Sequence, residues 1–445
     1  MKRKLPLVLL AIIVVMASSA GCRGDSGTAD QTKEKIQSQE VETEDETKSG
    51  GAAGEVREIT VWAWDSAFNG YAMEEADKLY DDAKINFVEM SKADCLQKLH
   101  TALASGVTDS LPDIVLIGDL SAQGYLMSYP GAFKSMDDII NYEDFASYKR
   151  EAVSYDKVGY GVPFDTGVAG LFYRTDYIEE AGYTLEDMQD LTWEEYLEIG
   201  VKLKENGHLL QTFNPNDIGE FQIMLQSAGT WYTDDEGLVN FAKNAALNEC
   251  FDIFKELNES DYCKVVSDWG EFAGAINSGE VACVIRGSWI SPTIMAEESQ
   301  SGKWALAPIP KLSVEGATNR SNQGGSSWYV LNNGKNAELA ADFLAETFAG
   351  NNELYNILLN NKNIIGTYLP ASNVEALDFG HEFYGEQKVN KELQEWLEEV
   401  PPVNTGAFTS EAQAALLAVT PNILAGQDLT ENLKEAVVQF EQSIQ

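Results

Sequence analysis

Histidine is scarce in this chain: three in 445 residues, His100, His208 and His381, far apart in sequence. A zinc site or a histidine-based catalytic triad is therefore not expected. Cysteine is nearly as sparse, with five and no CxxC pair. Cys95, Cys250, Cys263 and Cys283 read as small buried hydrophobes, with a Cys250–Cys263 disulfide left open. Positive charge is in deficit, 31 Lys and Arg against 71 Asp and Glu, a formal net charge of -40. That balance argues against nucleic acid, whose phosphates would be repelled, and disfavours an anionic ligand. After the first residues no hydrophobic run approaches transmembrane length. No cofactor is implied.

What is present begins with a leader. Met1-Lys-Arg-Lys4 is a basic n-region, and residues 5–17 form an apolar h-region too short to span a bilayer. Ala20-Gly21-Cys22 resembles a bacterial lipobox, with Ser19 where leucine is usual. Cys22 is thus the expected lipidated N-terminus, the acyl chains holding a soluble body on the extracytoplasmic face of the cell membrane. Residues 23–55 are polar, with almost no aliphatic side chains, and read as a disordered tether. Arg23-Gly24-Asp25 spells an adhesion tripeptide that chance explains. From Val56 the composition is globular for about 390 residues, enough for two lobes.

Within the body, strands are expected over 59–64, 85–88 and 113–117, with helices over 70–82 and 93–104. That alternation predicts a mostly parallel sheet in α/β layers, whose ligands bind beyond the carboxyl ends of the strands. Trp64-Asp65 and Gly118-Asp119 fall at such ends. So does Trp289, because Val-Ala-Cys-Val-Ile285 reads as a strand covered on both faces and runs into Arg-Gly-Ser-Trp289. Thr192 followed by Trp193-Glu-Glu195 is a helix start. Thr233-Asp-Asp-Glu-Gly237 is an acidic turn without the alternating ligands of a calcium loop. Breaks fall near Pro163, Gly324 and Tyr368.

Several stretches then coincide with one family. Gly161-Val-Pro-Phe-Asp-Thr-Gly-Val-Ala-Gly-Leu-Phe-Tyr-Arg-Thr-Asp176, Glu180-Ala-Gly182, and Leu191-Thr-Trp-Glu-Glu-Tyr196 resemble the extracellular solute-binding proteins of carbohydrate ABC transporters, family 1, the maltose-binding-protein-like group. Gly287-Ser-Trp289, Ala307-Pro-Ile-Pro310, Gly324-Gly325 with Ala340-Ala-Asp-Phe343, and Tyr368-Leu-Pro-Ala371 follow in the family's order. The resemblance implies an α/β fold of two interleaved lobes around a central ligand cleft. One lobe would hold 56–162 and 324–367, the other 163–323 and 368–445. It also implies a non-catalytic, monomeric receptor that captures an oligosaccharide and delivers it to permease subunits.

A sugar has an apolar C–H face and a rim of hydroxyls, so its site needs flat rings and fixed hydrogen-bonding groups. By the resemblance, Trp289 is the stacking residue, and Gly325 and Tyr368 lie at the ligand. Trp231 and Trp64 are either platforms or packing residues. Asp65, Asp119 and Asp165 are candidates for charge-assisted bonds to hydroxyls. Asn69 offers an amide, or caps a helix. Arg286 clamps a hydroxyl or pairs with a carboxylate, and Trp269 and Trp328 have no assigned place. Three rivals stand beside this: the same fold carrying a polyamine or peptide, presentation of ligand to a sensor, and a secreted glycosidase using two carboxyl groups.

Overall fold

Ile59, Val61 and Ala63 alternate with more exposed neighbours and are fully buried, which makes Arg57–Ala63 (β1) a strand with one covered face. In the computed structural model, which describes residues 57–234, 239, 241–373 and 375–444, β1 pairs in parallel with Ala83–Glu89 (β2) and with Ile114–Gly118 (β3). Cys22, the leader and the segment 23–55 lie outside the described residues, as do Asp235, Glu236 and Gly237 of the acidic turn.

All five residues of β3 are buried, as befits the centre of a sheet. Its other neighbour comes from far along the chain: Ser326–Val330 (β8) runs antiparallel to it, with Trp328 opposite Leu116. Gly161–Pro163 (β4) then pairs antiparallel with β8, closing the order β2-β1-β3-β8-β4. The sheet is therefore mixed, not mostly parallel. Only its first three strands come from the alternating strand–helix segment, and β8 is inserted by a chain return.

The second sheet is antiparallel throughout. Ala169–Arg174 (β5) lies between Cys283–Gly287 (β6) and Trp304–Ala307 (β7). Alternation divides its side chains between two cores. Leu171, Tyr173, Cys283 and Ile285 face one with the helices Trp193–Glu205, Gly219–Ser227 and Ala245–Glu259. Phe172, Val284, Trp304 and Leu306 face the other, with helices Trp269–Asn277 and Val389–Leu397. Thr192 caps Trp193–Glu205 in a capping box, its hydroxyl accepting from the Glu195 N–H. The first sheet has its own core, which includes Trp328.

The chain passes between the sheets at 164–168 and at 308–325. A third segment joins them: Asp165 bridges Gly366, and the Thr367 N–H donates to the Phe164 carbonyl. All four cysteines of the body are free thiols, so no Cys250–Cys263 bridge exists. Burial pushes the Cys95 and Cys263 thiols up to about 11. Among the described residues no helix is long and apolar enough to cross a membrane.

Candidate functional site

The chemistry at the crossing is organised by a residue that sequence reasoning missed. Lys149, in the short helix Ser147–Ala152, is fully buried. An ammonium has three protons, and here each finds an acceptor: Asp119 Oδ2 at 2.6 Å, the Asp165 carbonyl at 3.0 Å and the Ser326 carbonyl at 3.0 Å. The other Asp119 oxygen accepts from Ser327 Oγ at 2.9 Å. Asp165 Oδ1 accepts from both the Ser326 N–H and its hydroxyl, each at 2.6 Å. Burial pushes the Asp165 carboxyl up from its ordinary 3.8, opposed by the Lys149 charge and the Ser326 hydrogen bonds.

Gly325 sits inside this knot with φ +106, and a Cβ there would lie 2.6 Å from Asp119 Oδ2. The structure thus gathers Asp119, Asp165 and Gly325 into one unit that ties the end of β3, the first crossing and the start of β8. Asp119 and Asp165, candidates for bonds to ligand hydroxyls, are here engaged by the protein itself. Both Asp119 oxygens and Asp165 Oδ1 already hold protein donors, and Asp119 is buried.

At the end of β1, Asp65 adopts φ 56 and accepts the Phe68 N–H at 3.1 Å, capping the turn Ser66–Gly70. Its side chain is otherwise exposed. Asn69 is not the cap. It is buried, and its Nδ2 donates to the Trp64 carbonyl at 2.8 Å, while its Oδ1 has no partner. Trp64 is half-buried, with Lys92 Nζ 5.4 Å from its ring centroid. Lys92 also lies against Gly118, next to Asp119, so the ends of β1 and β3 form one surface.

At the end of β6, Trp289 is 45% exposed, and its indole Nε1 donates to the Gln323 carbonyl at 2.8 Å. Trp269, unplaced by sequence, is 54% exposed, and its ring centroid lies 6.2 Å from that of Trp289 with a 36° tilt. Phe272 stacks behind it at 5.0 Å. Arg286 pairs with Glu220 at 2.7 Å and lies over Phe272. Trp269 opens a helix under an Asp268 cap. Its local sequence does not separate it from Trp193, which also follows a capping residue and is buried.

Two expected site residues are elsewhere. Trp231 is 2% exposed in the core of the second sheet, its indole N–H held by Thr409 Oγ1 at 2.9 Å, so it has no free face to offer. Tyr368 is 8% exposed, stacked on Tyr355 at 5.7 Å and packed on Phe145 at 5.4 Å, within the core of the first sheet. Trp231 follows Gly229 by two residues, a pattern that packing produces equally well, and Tyr368 was expected at the ligand from the resemblance alone. A concavity of about 550 Å³ between the helices Trp193–Glu205 and Ala245–Glu259 is removed from all of these residues.

Two sheets flanked by helices and joined by several crossing segments, with strand ends and exposed indoles at the crossing, have the two-lobed architecture of a binding protein. Residues 71–378 match the family model described as bacterial extracellular solute-binding protein, and the chain belongs to that family. It is 44% identical over 382 residues to a lactose-binding protein of Rhizobium radiobacter, covering 85% of this chain and 90% of that one. Among solved structures, the binding protein from B. animalis subsp. lactis in complex with beta-1,6-galactobiose superposes with a TM-score of 0.66 at 20% identity, over 88% of this chain and 97% of that one. The galacto-N-biose-/lacto-N-biose I-binding protein of Bifidobacterium longum gives 0.69 at 18% identity, over 88% and 97%. The fold is the two-lobed one of these proteins.

Proposed function

We propose that this chain is the receptor subunit of an ABC sugar importer, which captures a galactose-containing oligosaccharide between its lobes and hands it to permease subunits. The observation that carries the proposal is the pair of exposed indoles, Trp289 and Trp269, at the end of β6. Stacking a pyranose face of about 50 Å² on one ring contributes on the order of 1 kcal/mol. The 44% identity to a lactose-binding protein favours a β-galactoside as the sugar. Trp64, Asp65 and Lys92 supply an opposing rim, with Asp65 and Lys92 as its exposed polar groups. Asp119, Asp165 and Gly325 act by fixing the crossing, and Asn69 by fixing the Trp64 backbone.

In this proposal the lobes are 56–162 with 324–367 and 163–323 with 368–445, the receptor is monomeric, and a lipid on Cys22 anchors it outside the cytoplasmic membrane. It performs no catalysis: Asp119 is already paired with Lys149, and the Asp165 carboxylate already accepts two bonds from Ser326. The test is a thermal-shift panel of lactose, β-1,6-galactobiose, maltose and spermidine. A ligand that binds the native state alone raises Tm by mass action. A rise with a galactoside is expected, whereas a rise with spermidine alone would overturn the cargo and leave the fold.

A further inference from the structure

We infer that Gln323 is a positioning residue for the ligand platform, fixing the plane of Trp289 against the segments that cross between the lobes; the inference rests on the stacking role proposed above for Trp289. The indole is held by a carbonyl of the crossing rather than by its own strand. Its Nε1 donates to the Gln323 carbonyl at 2.8 Å. The Gln323 N–H donates to the Gly167 carbonyl at 2.7 Å, and Gly167 belongs to the other crossing. The Gln323 side chain then reaches into the second sheet's lobe: Oε1 accepts the Gly287 N–H at 3.2 Å, and Nε2 donates to the Gly219 carbonyl at 3.2 Å. One residue therefore joins both crossings, the end of β6 and the start of a helix, and presents the carbonyl that seats the ring.

The glycines around it are explained by the same seat. A Cβ at Gly287 would lie 2.5 Å from Trp289 Nε1 and 2.7 Å from the Gln323 carbonyl oxygen. One at Gly167 would overlap that oxygen and come 3.1 Å from Trp289 Cδ1. Neither glycine has a positive φ, so both are required by close approach and not by backbone conformation. Asn322 braces the same place, accepting the Gly167 N–H at 3.0 Å and donating to the Gly324 carbonyl at 2.7 Å. With its edge seated in this way, the indole cannot turn without breaking its bond to the crossing. A sugar stacked on it bears on the hinge directly, and a rotation of the crossing re-aims the ring.

The test uses the full chain with Gln323→Ala, Gln323→Glu and, as a control, Asn319→Ala. Asn319 lies in the same segment and bonds the Leu191 and Ile309 carbonyls. Two quantities are read: the fluorescence of Trp289 in ligand-free protein, taken as the difference from Trp289→Phe, with its acrylamide quenching; and lactose affinity by titration calorimetry. Gln323→Ala is expected to change the Trp289 emission and quenching and to weaken lactose about tenfold, the loss of roughly one well-placed hydrogen bond. Gln323→Glu keeps the acceptor for Gly287 and should recover part of both. Asn319→Ala should lower Tm without altering the Trp289 signal. An unchanged Trp289 signal in Gln323→Ala, or equal changes in Asn319→Ala, would overturn the inference. If the wild type binds no sugar, the receptor proposal fails, and the ligand-free fluorescence still decides the role of Gln323.

Discussion

Lys149 shows what a single buried charge does here. An ammonium removed from water costs several kcal/mol unless its protons are matched, and this one is matched three times. Lys149→Met should therefore destabilise by about 3–5 kcal/mol, because it leaves the Asp119 carboxylate buried without its cation. Urea unfolding measures it, and a loss under 1 kcal/mol would contradict the role. Asp165 gives a pH signature. Burial raises its carboxyl above 3.8, so the folded state holds the proton more tightly than the unfolded chain. Its contribution to stability is fully present below the unfolded value and lost as pH rises through the folded one. Asp165→Asn, which retains an acceptor for Ser326, should flatten that part of the pH–stability curve. The two aspartates were legible in the sequence because Gly118 and the Pro163 break mark the ends of strands. Lys149 was not: it sits in a polar hexapeptide, and its partners lie 30, 16 and 177 residues away.

At the scale of elements, local pattern was informative wherever one segment decides its own structure. The alternation in residues 281–285 predicts a strand covered on both faces, and β6 indeed divides Cys283 and Ile285 from Val284 between two cores. The threonine cap at 192 was equally plain. Topology was less so, since the neighbour that makes the first sheet mixed, β8, arrives more than two hundred residues after β3. The fate of the aromatics was ambiguous for a related reason: Trp231 and Trp289 both follow glycine, and only the folded layers bury one and expose the other. The same layers govern the thiols. With Cys95 and Cys263 near 11, few are thiolate at pH 8, and both should react with a disulfide reagent on the order of a hundredfold more slowly than an exposed cysteine. Alkylation of the unfolded, unreduced protein should label all four body cysteines. A mass two hydrogens short would reveal a bridge.

For the whole molecule, the segments that cross between the sheets are where buried charge, strained glycine backbone and the seat of Trp289 meet. Lys149 locks the first sheet to them, Gln323 locks the second, and Asn322 ties one crossing to the other. Gly324 and Gly325, with φ +104 and +106, supply backbone that most residues would resist. A ligand at a hundred times its Kd should add about 2.7 kcal/mol to stability, a shift of roughly 3 °C in Tm for a body of this size. The most direct test of the receptor role is calorimetric titration of lactose into the wild type and Trp289→Ala, with circular dichroism and Tm confirming that the variant folds. The account predicts saturable binding at one site, weakened about fivefold or more by the loss of one stacked face of on the order of 1 kcal/mol. Equal affinity in the two proteins would remove Trp289 from the site, and no saturable binding of lactose or another galactoside would contradict the proposed cargo.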